Sequence, residues 1–150
     1  MRVAFYKATR PGLKGLYNRF VRWWERGPYS HCELVFPDGM SASSSFEDGG
    51  VRFKHIEYDP AKWDFIEVPW ADGGAARRWF EKHIGWGYDL RGNARFLFGP
   101  LPDGRDKVFC SDAVWEALCA DTEWLWPAEG WRFGPNALAA VLRGFEKRGG

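Results

Sequence analysis

A cysteine at the start of an apolar helical pattern is the residue best suited to covalent chemistry in this chain. Cys110 follows an apolar pair, and apolar residues then recur at helical spacing: Ala113, Val114, Ala117 and Leu118. This spacing predicts a helix that begins at Cys110. The unpaired N–H groups and the dipole of a helix N-terminus stabilise a thiolate, the form of cysteine that attacks carbonyl carbon. Cys110 is therefore the candidate nucleophile, with a buried structural cysteine as the alternative interpretation.

The segment Tyr29–Phe36 is typical of a strand that ends at a turn, and it carries the candidate partners of this nucleophile. Because side chains alternate along a strand, His31 and Glu33 share one face and Cys32 points the other way. An imidazole and a carboxylate on one face could serve a cysteine delivered by a helix packed across the strand. We therefore predict one catalytic group of Cys110, His31 and Glu33, with the Cys110 sulfur roughly 3–4.5 Å from a His31 ring nitrogen.

The order and spacing of these motifs resemble the circularly permuted NlpC/P60 proteins, in particular their YiiX-like and LRAT-like branch. In these papain-like cysteine hydrolases a His-x-Glu strand precedes a Cys-Ser-(Asp/Glu) sequence that opens a helix, and His31, Glu33 and Cys110 match that pattern. Three softer matches extend the resemblance over most of the chain: Asp48–Arg52, Gly87–Leu90 and Pro135–Leu138. The resemblance implies a small papain-like sheet or half-barrel packed against the helix that bears the nucleophile.

Each candidate residue has an expected role in hydrolysis. Cys110 attacks an amide or ester carbonyl, and His31 takes up the thiol proton and later protonates the leaving group. Glu33 orients or polarises the imidazole, with Ser43 on the next strand as the rival for that role. The backbone N–H of Cys110 is the expected first donor to the oxyanion. Three further residues are candidates for contact with substrate: Tyr29, Ser43 and Tyr88.

Composition limits the class of protein. The chain has 150 residues, 45% of them hydrophobic and 18% aromatic, which predicts one globular domain over residues 1–150. Its net charge is +1 with both signs interspersed, which argues against a nucleic-acid binder. We see no signal peptide and no apolar run approaching ~18 residues, so we expect a cytoplasmic protein without a transmembrane segment. A phage or bacterial setting would fit such a stand-alone domain.

The other cysteines have structural explanations. The chain has three cysteines in all, an odd number, and their spacing is not that of a disulfide framework, so we expect reduced cysteines. We predict that neither Cys32 nor Cys119 bonds to Cys110, that Cys32 faces away from the site, and that Cys119 lies at the far end of its helix. The histidines and cysteines show no metal-ligand spacing, so we expect neither a metal nor another cofactor.

Five strand-like runs and four helical patterns must position these residues. The strand-like runs are Arg2–Ala8, Tyr29–Phe36, Gly39–Ser45, Val51–Ile56 and Trp63–Val68. The helical patterns are Leu13–Trp24, Ala75–Ile84, the segment opened by Cys110, and a segment capped near Pro135-Asn136. Gly87–Pro102 is expected to be irregular. Strands in a run followed by helices favour an α+β fold with an antiparallel sheet of about five strands.

The sequence leaves several functions open. The first is a cysteine peptidase or amidase acting on a peptide or other amide substrate. The second is an acyltransferase or deacylase of the same fold that acts on a lipid-like substrate. The third is a catalytically silent binding module with an aromatic groove for a partner peptide or lipid. Trp124–Pro127 is the best candidate for a tryptophan-rich segment that lines a substrate groove or contacts a lipid surface. A fourth is a peripheral membrane protein that uses the basic helix Leu13–Trp24.

Overall fold

A single sheet forms the centre of the protein. The computed structural model describes residues 1–9, 13–88, 107–122 and 134–146. Its five longer strands are β1 (Arg2–Tyr6), β2 (His31–Val35), β3 (Met40–Ser45), β4 (Gly50–His55) and β5 (Trp63–Glu67). Two short strands, β6 (Gly87–Tyr88) and β7 (Lys107–Val108), extend the sheet in the order β5-β1-β2-β3-β4-β6-β7. The neighbours from β5 to β6 pair antiparallel, and β6 pairs parallel with β7.

The described residues also form four helices, which confirms the predicted α+β class. They are α1 (Leu13–Trp24), α2 (Gly73–His83), α3 (Cys110–Cys119) and α4 (Pro135–Glu146). The carboxylate of Asp72 caps α2, accepting the N–H groups of Gly74 and Ala75 at 2.7 and 2.9 Å. α3 packs on β2 and β3 and also contacts α2 and α4. The helix that begins at Cys110 therefore lies across the strand that begins at His31.

The two faces of the sheet bury different sets of side chains. The face under the helices buries Phe5, Cys32 and Leu34 in one cluster with Cys110 and residues of α3. The opposite face buries a second apolar cluster: Ala4, Tyr6, Val35 and Trp63. In the β1–β2 register Phe5 lies opposite Cys32, Ala4 opposite Glu33 and Tyr6 opposite His31. Cys32 therefore belongs to the helix-covered face, while His31 and Glu33 belong to the other.

Strand β6 begins where the sequence predicted irregular structure. Gly50 of β4 pairs with Gly87 and has a φ of 143°, a conformation that glycine adopts without strain. A Cβ at Gly50 would overlap the carbonyl of Trp86. Glycine at this position therefore lets the chain come close enough to extend the sheet. The rest of the predicted irregular segment and the run Trp124–Pro127 lie outside the described residues.

Helix α1 exposes aromatic side chains. Phe20 is 40% exposed and Trp23 is 71% exposed, with ring centroids 6.3 Å apart. None of the described helices combines the length and the apolar character needed to cross a bilayer. The described part of the chain thus places two large aromatic side chains on the exposed surface of α1.

Candidate active site

Cys110 is the first residue of α3, as predicted. The chain enters the helix in an extended conformation at Phe109 (φ −100°, ψ 174°), whose carbonyl accepts the N–H of Ala113 at 2.9 Å. The hydroxyl of Ser44 donates to the carbonyl of Val108 at 2.6 Å and so ties the approach to Cys110 onto β3. The sequence had pointed to Ser43, on the opposite face of β3, and had missed Ser44. Cys110 thus lies at a helix N-terminus, where unpaired backbone N–H groups and the helix dipole favour negative charge.

His31 and Glu33 contact each other on one face of β2. Nε2 of His31 lies 2.7 Å from Oε1 of Glu33, and the Cys110 side chain also hydrogen-bonds to His31. Because the ionised carboxylate of Glu33 can only accept, Nε2 of His31 is the donor in the first contact. That assignment leaves Nδ1 for the thiol. The structure thus brings Cys110, His31 and Glu33 together in one chain of contacts.

The site favours a thiolate paired with an imidazolium. A hydrogen bond from the Cys32 side chain and the charge of His31 outweigh burial and hold the pKa of Cys110 well below its usual value. Burial alone would lower the pKa of His31, but the Cys110 charge and the hydrogen bonds from Cys110 and Glu33 raise it to about 9. Both shifts favour a negative sulfur and a positive ring, which is the reactive state of a Cys/His pair.

Arg52 holds Glu33 in its ionised form. Glu33 is only 1% exposed, and the Arg52 guanidinium donates to both of its carboxylate oxygens at 2.7 and 2.6 Å. Nε of Arg52 donates to Asp48 at 2.8 Å. Burial alone would raise the pKa of Glu33, but the bonds from Arg52 and His31 outweigh it and lower that pKa. The resemblance had included Arg52 and Asp48 without assigning them a role. Their opposite charges and their spacing of four residues across one turn are compatible with an ion pair.

The prediction that Cys32 faces away from the site is wrong. Its side chain and its backbone N–H both hydrogen-bond to Cys110, and burial together with that bond raises the pKa of the Cys32 thiol. The error arose from placing the helix on the His31 face of the strand. α3 packs on the opposite face, and His31 contacts Cys110 because it is the first residue of β2, at the end of the sheet. All three cysteines are free, and Cys119 lies at the far end of α3 as predicted.

The three predicted substrate-contacting residues have different positions. Tyr29 is buried, and its hydroxyl lies between Asp64 at 2.8 Å and Arg143 at 2.5 Å, so it supports the fold rather than a substrate wall. Ser43 is fully buried and donates to the carbonyl of Cys32 at 2.7 Å, so it neither orients His31 nor faces substrate. Tyr88 belongs to β6, and its side chain lies outside the described part of the protein.

Asn136 fixes the chain just before His31. Its side-chain amide accepts the N–H of Tyr29 and donates to the carbonyl of Tyr29, both at 2.8 Å, in the manner of a neighbouring strand. It also donates to Glu25 at 2.6 Å, and its backbone N–H donates to the same carboxylate at 3.2 Å. A Cβ at Gly27 would overlap Asn136, and one at Gly134 would overlap Glu25. The sequence had assigned Asn136 only a helix-capping role.

Replacing Asn136 with alanine should loosen the segment that leads into His31. The change leaves both backbone groups of Tyr29 without their partner, and we expect a loss of about 1–3 kcal/mol in the free energy of unfolding. Hydrogen exchange at the Tyr29 amide should accelerate more than at the Leu34 amide, which lies within the sheet. Ala140→Ser, on an exposed position of the same helix, is the control. Unchanged protection at Tyr29 would contradict this role for Asn136.

Comparison with known proteins finds no matching family model and no curated protein with significant sequence similarity. Function must therefore be inferred from the chemistry of the site. Within the described ranges, no group of three or more His, Cys, Asp or Glu side chains is arranged to hold a metal ion. What the described side chains do bring together is an activated thiol, a charged imidazole and a buried carboxylate, which is a set of groups suited to acyl transfer.

Proposed function

We propose that this protein is a cysteine hydrolase that cleaves an amide or ester bond, with a permuted NlpC/P60-like arrangement of strand and helix. The observation that carries the proposal is the contact chain from Cys110 through His31 to Glu33. A structural cysteine needs no basic partner, and burial in apolar surroundings would raise the pKa of its thiol. Here the pKa of Cys110 is lowered instead, which favours the nucleophilic interpretation over the structural one.

The first half of the reaction forms a thioester. The Cys110 thiolate attacks the carbonyl carbon, and the π electrons of the carbonyl move onto its oxygen. The backbone N–H of Cys110, at the start of α3, donates to that oxyanion. When the tetrahedral intermediate collapses, the imidazolium of His31 gives the Nδ1 proton to the leaving amine or alcohol. The departing group then carries that proton away, and a neutral imidazole remains beside the thioester.

The second half of the reaction returns the enzyme to its starting state. Nδ1 of the neutral His31 takes a proton from water as the water attacks the thioester carbonyl. Collapse of this intermediate releases the acid and restores the thiolate and the imidazolium. Throughout both steps the Glu33 carboxylate accepts a hydrogen bond from the Nε2–H group of His31 and keeps the ring oriented. The carboxylate of a Ser-His-Asp triad acts in the same way. Arg52 keeps Glu33 ionised and positioned.

A chromogenic ester tests this proposal without knowledge of the natural substrate. p-Nitrophenyl acetate should acetylate Cys110 and release nitrophenolate over many turnovers. Cys110→Ala and His31→Ala should each lower turnover by at least about a thousandfold, and the double variant should be little worse, because the pair acts as a unit. Cys119→Ala, at the far end of the same helix, is the matched control and should keep full activity.

Two outcomes would overturn the proposal. One is acetylation confined to Cys32 or Cys119, and the other is turnover that survives in Cys110→Ala. A panel of peptide amides and phospholipid esters then separates a peptidase or amidase from a lipid acyltransferase or deacylase. Stoichiometric acetylation of Cys110 without release of acetate would instead indicate an acyltransferase that needs a second substrate in place of water.

A further inference from the structure

A second thiol lies against the candidate nucleophile. Cys32 is fully buried, belongs to the same apolar cluster as Cys110, and hydrogen-bonds to the Cys110 sulfur through its side chain and its backbone N–H. Hydrolysis as described above uses Cys110, His31 and Glu33 and has no step for a second thiol. The Cys32 S–H donates a hydrogen bond that helps to lower the pKa of Cys110, but a serine hydroxyl at position 32 could donate in the same way. The feature that hydrolysis does not explain is therefore that this donor is a second thiol.

Two neighbouring serines of β3 hold the segments that carry these thiols. Ser43 donates to the carbonyl of Cys32 at 2.7 Å, and Ser44 donates to the carbonyl of Val108, two residues before Cys110, at 2.6 Å. α3 packs directly on β2 and β3, so strand, serines and helix form one packed unit. The approach of the two sulfurs is thus set by the sheet and the helix and not by a loose surface loop.

We propose that Cys32 is a resolving cysteine, so that a hydroperoxide converts this site reversibly into a Cys32–Cys110 disulfide. The Cys110 thiolate attacks the nearer oxygen of the hydroperoxide, the O–O bond breaks, and the leaving oxygen takes the His31 proton to form an alcohol or water. Cys110 has become a sulfenic acid, oxidised by two electrons. The Cys32 sulfur then attacks the Cys110 sulfur, the S–S bond forms, and the hydroxyl leaves as water with the Cys32 proton.

This chemistry would protect the nucleophile. A sulfenic acid without a neighbouring thiol proceeds to sulfinic and sulfonic acids, which thiol reductants do not reverse. A disulfide stops that progress, blocks acyl transfer while it lasts, and returns two thiols on reduction. Hydrogen peroxide is small enough to reach a thiol that is 3% exposed. The proposal does not depend on hydrolysis, since its test measures the oxidation state of each cysteine and not the turnover of a substrate.

Peptide mapping after peroxide treatment tests the proposal. The folded wild-type protein is treated with hydrogen peroxide near neutral pH, denatured, alkylated and digested without reductant. We expect a linked peptide pair that contains Cys32 and Cys110, with Cys119 alkylated as a free thiol. Dithiothreitol should restore all three thiols of the chain. In Cys32→Ser the linked pair should be absent and Cys110 should accumulate as sulfinic and sulfonic acid that dithiothreitol does not recover.

Matched variants keep the test decisive. Cys119→Ser should form the same linked pair as wild type, since Cys119 lies at the other end of α3. Cys32→Ala replaces Cys32→Ser if the hydroxyl disturbs the buried strand, and it should show the same overoxidation of Cys110. Irreversible oxidation of Cys110 in the wild type without a linked pair, or a disulfide that involves Cys119, would overturn the proposal. If the ester assay fails while the linked pair forms, the proposed hydrolase function fails and this inference stands.

Discussion

Iodoacetamide should alkylate Cys110 with little loss of rate between about pH 8 and about pH 6, because the hydrogen bond from Cys32 and the charge of His31 lower the pKa of the thiol. His31→Ala should slow the reaction at the lower pH by at least about tenfold. Without the imidazolium the thiol loses a favourable charge and a hydrogen bond, so its pKa rises and its thiolate fraction at about pH 6 falls, although the hydrogen bond from Cys32 remains. The higher intrinsic nucleophilicity of a more basic thiolate recovers only part of that loss.

The direction of the pH dependence follows from the pKa of His31. That pKa is raised to about 9, so the imidazolium persists through neutral pH and loses its proton as the pH rises through that value. Steps that need a proton on His31, such as departure of an amine, should therefore decline above about pH 9. His55→Ala, which removes a histidine on β4, is the matched control and should leave alkylation unchanged. Equal alkylation of wild type and His31→Ala at the lower pH would contradict the ion pair.

Arg52→Met should lower the free energy of unfolding by about 3–5 kcal/mol, as expected when one partner of a buried ion pair is removed. Arg52 donates one hydrogen bond to each carboxylate oxygen of Glu33, and without it the carboxylate would remain buried with only the imidazolium of His31 beside it among the contacts of the described residues. The pKa of Glu33 should rise, since its burial would no longer be offset by the guanidinium. Urea unfolding of the wild type and the variant measures the difference.

Lys54→Met is the matched control for Arg52. Both cations lie on β4 and both bind Asp48, but Lys54 is 49% exposed and its ion pair with Asp48 should contribute no more than about 1 kcal/mol. Adding Glu33→Gln to Arg52→Met should recover part of the lost stability, because it removes the buried charge that the first change left behind. If Arg52→Met lowers the free energy of unfolding no more than Lys54→Met does, then Glu33 and Arg52 do not act as a buried ion pair.

The site is assembled at the end of the sheet from side chains of both faces. The nucleophile comes from the helix-covered face, together with Cys32. The imidazole and its carboxylate come from the other face, where His31 lies opposite Tyr6 and Glu33 opposite Ala4. The two cysteines and the imidazole meet because His31 is the first residue of β2 and so lies at the end of the sheet. This arrangement lets the charged pair of Glu33 and Arg52 support the base without entering the apolar core beneath the helices.

Local pattern was sufficient to predict the five longer strands and the described helices of this protein, but not the short strands β6 and β7. Alternation and turn residues identified all five longer strands, and apolar spacing identified the helix that begins at Cys110. These are effects of nearest neighbours along the chain, which is why a single sequence reveals them. The contact between His31 and Glu33 was also within reach of the sequence, because two residues on one face of a strand are always neighbours.

Contacts between distant segments were decided by tertiary structure alone. The face of β2 that α3 would cover depends on the packing of the whole core, and this is why Cys32 was placed on the wrong side. The roles of Ser44, Arg52 and Asn136 rest on hydrogen bonds to Val108, Glu33 and Tyr29, which local pattern does not encode. The sequence by itself determined which residues could do chemistry, while the packing of α3 on the sheet decided which of them touch.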